Sequence, residues 1–406
     1  MIELRDYQEK ISTDAVKKLR KYGICTLWME VRTGKTLTAL AAAEKYGARS
    51  VLFVTRKKAI PSIEDDYDLL DPEFKIVVIN YESVHKFADG LYDFIICDES
   101  HGMGAFPKPS LRAKRMKKIV GDKSLILMSG TPTPESFSQI YHQLWISHNS
   151  PFREYPTFYR WARKYVNIYE RYINGRNMRF YDRAKRDEIN EKIQHLEISY
   201  TQTEAGFQSM VEEKIVWLDM PENVQQFFHM MDKHQVIIDE GLAVPASNAA
   251  DALNKLSQVS GCTLLVDGEG MVLSDHKAKE IRKRFQGKFA IFYKYRTELE
   301  VLKSVFTSHT ESPEEFNDSE DIEVFLGQVQ SVREGVNLRS ADAIVFYNID
   351  FSATSYEQAR ARLQYKDRKD PAMIYWMFYK QGIEKYVHDA VKKKKNFTSF
   401  YYRNNF

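Results

Sequence analysis

"LWMEVRTGKTLTALAAAEKY", residues 27–46, joins a short apolar run to an Ala/Leu-rich stretch with helical spacing through Gly34-Lys35-Thr36. A strand, a tight loop and a helix start in that order are the context a phosphate-binding loop needs. Backbone N–H groups at the helix start face an anion, a lysine reaches the terminal phosphates, and a threonine hydroxyl meets Mg²⁺. The common pattern also has a glycine five positions before Gly34, where Met29 stands. The tripeptide by itself fits a plain helix start with a solvated lysine equally well.

A second stretch, "DFIICDESHGMG" at residues 93–104, bears on that choice. Four apolar residues, Phe94 to Cys97, run straight into Asp98, Glu99, Ser100 and His101. Adjacent acids repel one another, and burial makes each charge costlier. A strand end meeting solvent is one explanation. The other is a site in which Asp98 holds a divalent cation and Glu99 orients a water molecule. Lys35 and the acid pair lie some sixty residues apart in one α/β pattern, and together they indicate a nucleotide hydrolase using Mg²⁺, with Thr36 and Asp98 as metal ligands.

Working outward, short apolar runs at Thr26–Met29, Ser50–Val54, Ile76–Ile79, Phe94–Cys97 and Ser124–Met128 alternate with helical patterns. That alternation predicts a parallel sheet covered on both faces. It fades after residue 147 and returns with runs at Ile215–Leu218, Phe289–Tyr293, Glu323–Leu326, Ala343–Tyr347 and Met373–Phe378. The expected organisation is an α/β domain over 1–147, a helical basic and aromatic insertion over 148–213, and a second α/β domain over 214–406.

The insertion is where the charge gathers. Phe152 to Arg186 holds ten Lys/Arg residues against three acids, interleaved with ten aromatics, whereas the whole chain is only +3. A solvated helical face with a few core rings would have that composition. So would a nucleic-acid surface, with Arg160, Arg163 and Lys164 on phosphates and rings stacking on bases. The lysine run 392–395 reads as a solvated terminal helix. No apolar run reaches the roughly 18 residues of a membrane span. Cys25, Cys97 and Cys262 show no metal-ligand spacing and fit a reducing cytoplasm. No membrane partner is expected, and the chain is expected to be a monomer.

Taken in order, these stretches resemble the helicase superfamily 2 motors, and among them the Swi/Snf-type DNA translocases. "LRDYQ" (Leu4–Gln8) is similar to the adenine-reading segment, with Arg5 and Gln8 at the nucleotide. "EVRTGKT" resembles motif I, "VLFVT" (Val51–Thr55) motif Ia, "INYESV" (Ile79–Val84) the strand-contacting segment after it, and "DESH" motif II. "MSGTPTPES" (Met128–Ser136) resembles motif III. In the second half, "FAIFYKY" (Phe289–Tyr295), "SVREGVNLRSADAIVFYN" (Ser331–Asn348) and "YEQARARLQYKDR" (Tyr356–Arg368) are similar to motifs IV, V and VI.

The resemblance implies two RecA-like domains in tandem that close on ATP and step along DNA, duplex or branched, with RNA a possible partner. It implies Thr33, Gly34, Lys35, Thr36 and Gly335 as nucleotide contacts, and Gln358 and Arg362 as catalytic residues. His101, Ser129 and Thr131 would couple hydrolysis to movement, and Thr55, Tyr81 and Asn337 would touch nucleic acid. His101 as an ordinary surface histidine, and Glu30 as a mere flank of the loop, remain open. Two departures stand out. Arg32 occupies a position where family members often carry glycine, and Tyr365 falls on the arginine-finger position of motif VI. A tyrosine cannot supply the finger's fixed positive fork. The alternatives to a DNA translocase are a nucleic-acid clamp or switch with weak hydrolysis, and an RNA helicase.

Overall fold

A computed structural model describes residues 2–87, 92–173, 176–206, 211–239, 241–332, 338–352, 355–356 and 371–393. The chain divides into two compact units, Met1–Gly206 and Phe207–Phe406.

The first unit is built on a parallel sheet. Its strands are β1 (Ile24–Met29), β2 (Ser50–Thr55), β3 (Lys75–Asn80), β4 (Phe94–Cys97), β5 (Ser124–Met128) and, after a hairpin of β6 (Tyr169–Ile173) and β7 (Arg176–Phe180), β8 (Glu197–Tyr200), in the order β3-β2-β4-β5-β1-β8. Every neighbour in it runs parallel. β4 and β5 are buried at every residue, which is why they read as unbroken apolar runs. Among the covering helices, α1 (Asp6–Tyr22) and α2 (Lys35–Tyr46) bury Ile11, Ala15, Leu19, Ala39, Leu40 and Ala43 against one face. The run of alanines lets α2 lie close to the strands. Gly47, at φ 85°, ends it with an amide bonded back to Ala43 and Glu44. The other face takes α4 (Leu111–Val120), α5 (Ile140–Trp145), α6 (Phe158–Tyr165) and α7 (Arg186–Ile193), while α3 (Ile60–Leu70) adds Ile63 to the α1–α2 core.

The second unit repeats the plan. Its sheet follows the order β15-β16-β14-β17-β18-β9, again parallel throughout. The strands are β9 (Val211–Leu218), β14 (Phe289–Tyr293), β15 (His309–Thr310), β16 (Val324–Gln328), β17 (Ala343–Phe346) and β18 (Ala372–Tyr379). Two small hairpins, β10 (Val236–Asp239) with β11 (Leu242–Pro245) and β12 (Thr263–Val266) with β13 (Glu269–Val272), stand beside it. Two parallel-sheet α/β domains in tandem are thus present as expected from the alternation.

The segment 148–213 differs from the expected helical insertion. It holds α6 and α7, but also an antiparallel hairpin, β6 (Tyr169–Ile173) with β7 (Arg176–Phe180), and the edge strand β8. β8 pairs with the phosphate-loop strand from Thr26↔Glu197 to Met29↔Tyr200. The first compact unit therefore runs to Gly206 rather than stopping at 147, and β9 begins at Val211, ahead of 214. Four residues of mixed polarity, Glu197 to Tyr200, carry no strand signal by themselves. Parallel pairing to β1 supplies the backbone partners that their sequence does not advertise.

Candidate active site

In parallel α/β sheets the crevice outside the carboxyl ends of the strands is where ligands bind. The loop after β1 and the turn after β4 both lie at that end. Met29 hands over to Glu30-Val31-Arg32-Thr33-Gly34, and α2 starts at Lys35. Gly34 sits at φ 74° and Arg32 at φ 62°, both left-handed. An ordinary residue pays roughly 1–2 kcal/mol for that conformation. The missing glycine at position 32 has therefore not changed the turn: the arginine adopts the backbone a glycine would take.

The loop is braced from two sides. From α1, Gln8 Nε2 donates to Gly34 O at 3.2 Å, Arg5 N donates to Gln8 Oε1 at 3.0 Å, and Tyr7 Oη donates to Thr33 O at 3.2 Å. Gln8 is buried with its amide engaged at both atoms, so it fixes the loop's backbone directly. Arg5 NH1 donates to Tyr7 Oη at 3.0 Å and so belongs to the same brace. From the β8 side, Glu30 N donates to Tyr200 O and Glu30 Oε2 accepts Gln202 N, at 2.9 and 2.8 Å. Gln202 Nε2 donates to Val31 O at 2.9 Å, and Tyr7 stacks on Tyr200 with ring centroids 4.7 Å apart. Thr33, fully buried, turns both its hydroxyl and its N–H onto Glu30 O, at 2.7 and 3.4 Å, so it shapes the loop from inside. Glu30 is thus more than a flank. Gln202 and Tyr7 are members of the brace that composition does not single out.

Across the sheet, Asp98 and Glu99 leave β4 in different directions, because Glu99 takes φ 46°. Thr55 Oγ1, at the end of the neighbouring β2, donates to Asp98 Oδ2 at 2.8 Å. Tyr81 Oη donates to the Asp98 carbonyl at 2.5 Å. Burial and the Glu99 charge push the Asp98 carboxyl up to about 6, against the pull of Lys35. Burial acts on Glu99 in the same sense, but a hydrogen bond from His101 and the positive charges of Lys35 and Arg56 overcome it and hold the Glu99 carboxyl well below the usual carboxylate range. Lys35, whose Nζ donates to Glu30 O at 3.2 Å, thus acts electrostatically on both acids.

His101 links this turn to the loop after β5. The Arg56 guanidinium, which only donates, lies 3.3 Å from His101 Nε2, so Nε2 accepts and Nδ1 carries the proton. That Nδ1 is 3.0 Å from Ser129 Oγ and 3.2 Å from Glu99 Oε2. Ser129 Oγ in turn accepts Thr131 N at 3.1 Å. His101 is buried, not a surface histidine. Arg56 and Gln143 were not foreseeable as partners. Gln143 accepts from Ser100 Oγ at 2.9 Å and donates to Pro132 O at 2.7 Å, tying the acid turn to the Thr131 loop.

Three expectations are corrected. Thr55 and Tyr81, read as nucleic-acid contacts, are 0% and 1% exposed and hold Asp98 in place. The register explains it: Val54 pairs with Cys97, which sets Thr55 beside Asp98. Third, three of the four rings of α6 are not available for stacking, and Tyr159 alone among them is exposed. Phe158, Trp161 and Tyr165 are buried with Phe152 and Tyr141 in the core, while Arg160, Arg163 and Lys164 face solvent. Gly335, Asn337, Gln358, Arg362 and Tyr365 lie outside the described residues, as do Lys394 and Lys395 of the lysine run.

A helix-start lysine after β1 and a buried acid pair after β4, one strand apart at the carboxyl ends of a parallel sheet, is the arrangement of a phosphate-loop nucleotide-binding protein. A model of the SNF2-related domain matches residues 32–262. That is more than half of the chain, and the chain belongs to this family. It is 20% identical over 459 residues to the SWI/SNF-related matrix-associated actin-dependent regulator of chromatin subfamily A-like protein 1 of Drosophila melanogaster. That match takes in 98% of this chain but 56% of the fly protein. Among solved structures, the Sulfolobus solfataricus SWI2/SNF2 ATPase core in complex with dsDNA matches 97% of this chain and 91% of its own, at 15% identity and TM-score 0.44. The Sulfolobus solfataricus SWI2/SNF2 ATPase core domain by itself matches 97% of this chain and 89% of its own, at 14% identity and TM-score 0.44.

Proposed function

We propose that this chain is a nucleic-acid-stimulated ATPase that hydrolyses ATP to move along, or remodel, duplex or branched DNA. The observation that carries the reading is Lys35 acting on both Asp98 and Glu99 beside a twice-braced loop. Lys35 would neutralise charge on the transferring phosphoryl group, and Glu99, ionised at neutral pH, would take the proton of the attacking water. The N–H groups at the start of α2 would hold the phosphates. Movement of the Glu99 side chain would be felt through His101 at Ser129 and Thr131. Sequence resemblance supports Gln358 and Arg362 as catalytic residues, Gly335 as a nucleotide contact and Asn337 as a nucleic-acid contact.

Thr36 and Asp98 suit Mg²⁺. The donors are hard oxygens, and a buried carboxyl pushed up to about 6 gains most from a cation. Among the described residues no three His, Cys, Asp or Glu side chains form a metal cage. Mg²⁺ asks for none, since it binds through one or two carboxylates plus substrate phosphates and water. When bound, Mg²⁺ would neutralise charge developing between the phosphates. Membership of the SNF2-related family supports DNA as the track. The test is ATP hydrolysis with no effector and with single-stranded, duplex, forked and RNA effectors. Duplex or forked DNA should stimulate most. Equal rates with and without nucleic acid would overturn the motor reading.

A further inference from the structure

The β6–β7 hairpin is an odd element for a protein surface. Two-stranded ribbons are marginally stable without a layer to pack on, yet both faces here are open. Tyr172 is 75% exposed, Met178 50%, and Arg176 to Arg179 are exposed without a break. The register places Tyr169, Arg171, Met178 and Phe180 on one face, and Glu170, Tyr172, Asn177 and Arg179 on the other. The first face is a ladder: Tyr169 stacks on Phe180 at 5.3 Å, with the Arg171 guanidinium 5.1 and 5.6 Å from those rings and Arg183 4.1 Å from Tyr169. On the second face Arg179 pairs with Glu170 at 2.8 Å.

We infer that this ribbon enters the major groove of duplex DNA, with Arg171, Arg176 and Arg179 on the phosphate walls and Tyr172 and Met178 against base edges. This rests on the DNA-motor reading above. Cations on both faces are of no use to a ribbon lying flat on one surface; they fit a slot walled by phosphate on each side. B-form DNA offers that slot, since its major groove is about 12 Å wide and admits a two-stranded ribbon. The major groove of duplex RNA is deep and too narrow for side chains to read. The ladder holds its guanidiniums in place before binding, which lowers the ordering cost.

The experiment measures affinity of the full chain for a B-form duplex and for an RNA duplex of the same sequence, across salt concentrations. Dimethyl sulfate protection at guanine N7, which lies in the major groove, is read on the DNA. Replacing Arg171 and Arg176 by alanine should lower DNA affinity and flatten the slope of log K against log salt by about 1.8, roughly 0.9 for each phosphate lost. Lysine at both positions should restore the slope, N7 protection should depend on the ribbon, and RNA binding should not respond. Should the double variant not fold, as judged by its melting curve, Arg176→Glu at an exposed strand end carries the same test. Unchanged slope and N7 protection in the variants, with the parent still binding, overturns the ribbon assignment alone. Equal losses on RNA overturn the major-groove placement. A parent that neither binds duplex DNA nor is stimulated by it overturns the motor reading itself.

Discussion

Thr55 donates its hydroxyl to Asp98 Oδ2 at 2.8 Å across the adjoining ends of β2 and β4. A donor there fixes one carboxylate oxygen and leaves the other for a cation. Thr55→Val keeps the shape and removes the donor, so Asp98 should hold Mg²⁺ more weakly. The Mg²⁺ concentration for half-maximal hydrolysis should rise roughly 10-fold, toward the lower end of the 10–100-fold cost of losing an outer partner of a metal ligand. Thr55→Ser should restore it. An unaltered Mg²⁺ dependence in Thr55→Val would break the link between this hydrogen bond and the metal.

Glu99→Gln removes the group that accepts the water's proton and leaves its size. Turnover should fall by roughly 10²–10⁴-fold, the usual worth of a positioned general base, while ATP affinity by fluorescence titration holds. Lys35→Ala should abolish turnover and weaken ATP binding as well, because the lysine touches the ground-state phosphates. Parental turnover in Glu99→Gln would reassign the base.

Gly34 makes a third test. A Cβ at this position would lie 2.3 Å from Gln8 Nε2, and φ 74° disfavours any side chain. Gly34→Ala should expel the Gln8 amide and twist the loop, so ATP affinity should drop at least 10-fold with little change in the melting temperature. Gln8→Ala, which removes the brace without the clash, should cost less. Equal ATP affinity in the parent and Gly34→Ala would show that the brace does not shape the site.

The parallel sheets and the Lys35 and Asp98 strand ends were legible because burial on both faces writes unbroken apolar runs, as at Phe94–Cys97. Edge elements were not. Glu197–Tyr200 is short and of mixed polarity, and its strand character comes from pairing with β1. Residue roles failed in a related way. Motif resemblance marks Thr55 and Tyr81 as important, but it does not say whether such a residue touches a ligand or holds the residue that does. Only the register of β2 against β4 decides that. In Phe158–Tyr165 the alternation of rings and cations looked like one binding surface, yet a 3.6-residue period sorts the same residues into a buried stripe and a solvent face.

That sorting predicts two separable phenotypes on α6. Trp161→Ala removes a buried ring and should cost about 3–5 kcal/mol of stability, read by chemical denaturation. Arg160, Arg163 and Lys164 replaced together by alanine should leave the denaturation midpoint nearly unchanged and weaken DNA binding in a salt-dependent way. An unchanged binding isotherm at every salt concentration would make these three a solvated face only.

His142 sets a pH limit on the first unit. Its Nδ1–H donates to Ala105 O at 2.6 Å, and its ring lies among Tyr141, Trp145 and Phe158. Burial, with Lys117 nearby, pushes it down to about 4, against the pull of that carbonyl. The unfolded chain takes the proton near 6.5 and the folded chain only near 4. Stability from the neutral ring is therefore complete above 6.5 and drains away as pH falls toward 4. At about 1.4 kcal/mol for each tenfold step, the full loss is on the order of 3 kcal/mol. Asp66 and Asp98, each pushed up to about 6 chiefly by burial, bend the curve the other way, since the folded chain protonates them first. The measure is therefore the difference between parent and His142→Gln, whose amide keeps a donor near Ala105 O but does not titrate. Denaturation midpoints of the two should converge as pH drops from 7.5 to 4.5. Parallel curves over that range would mean that His142 keeps an ordinary proton affinity in the fold.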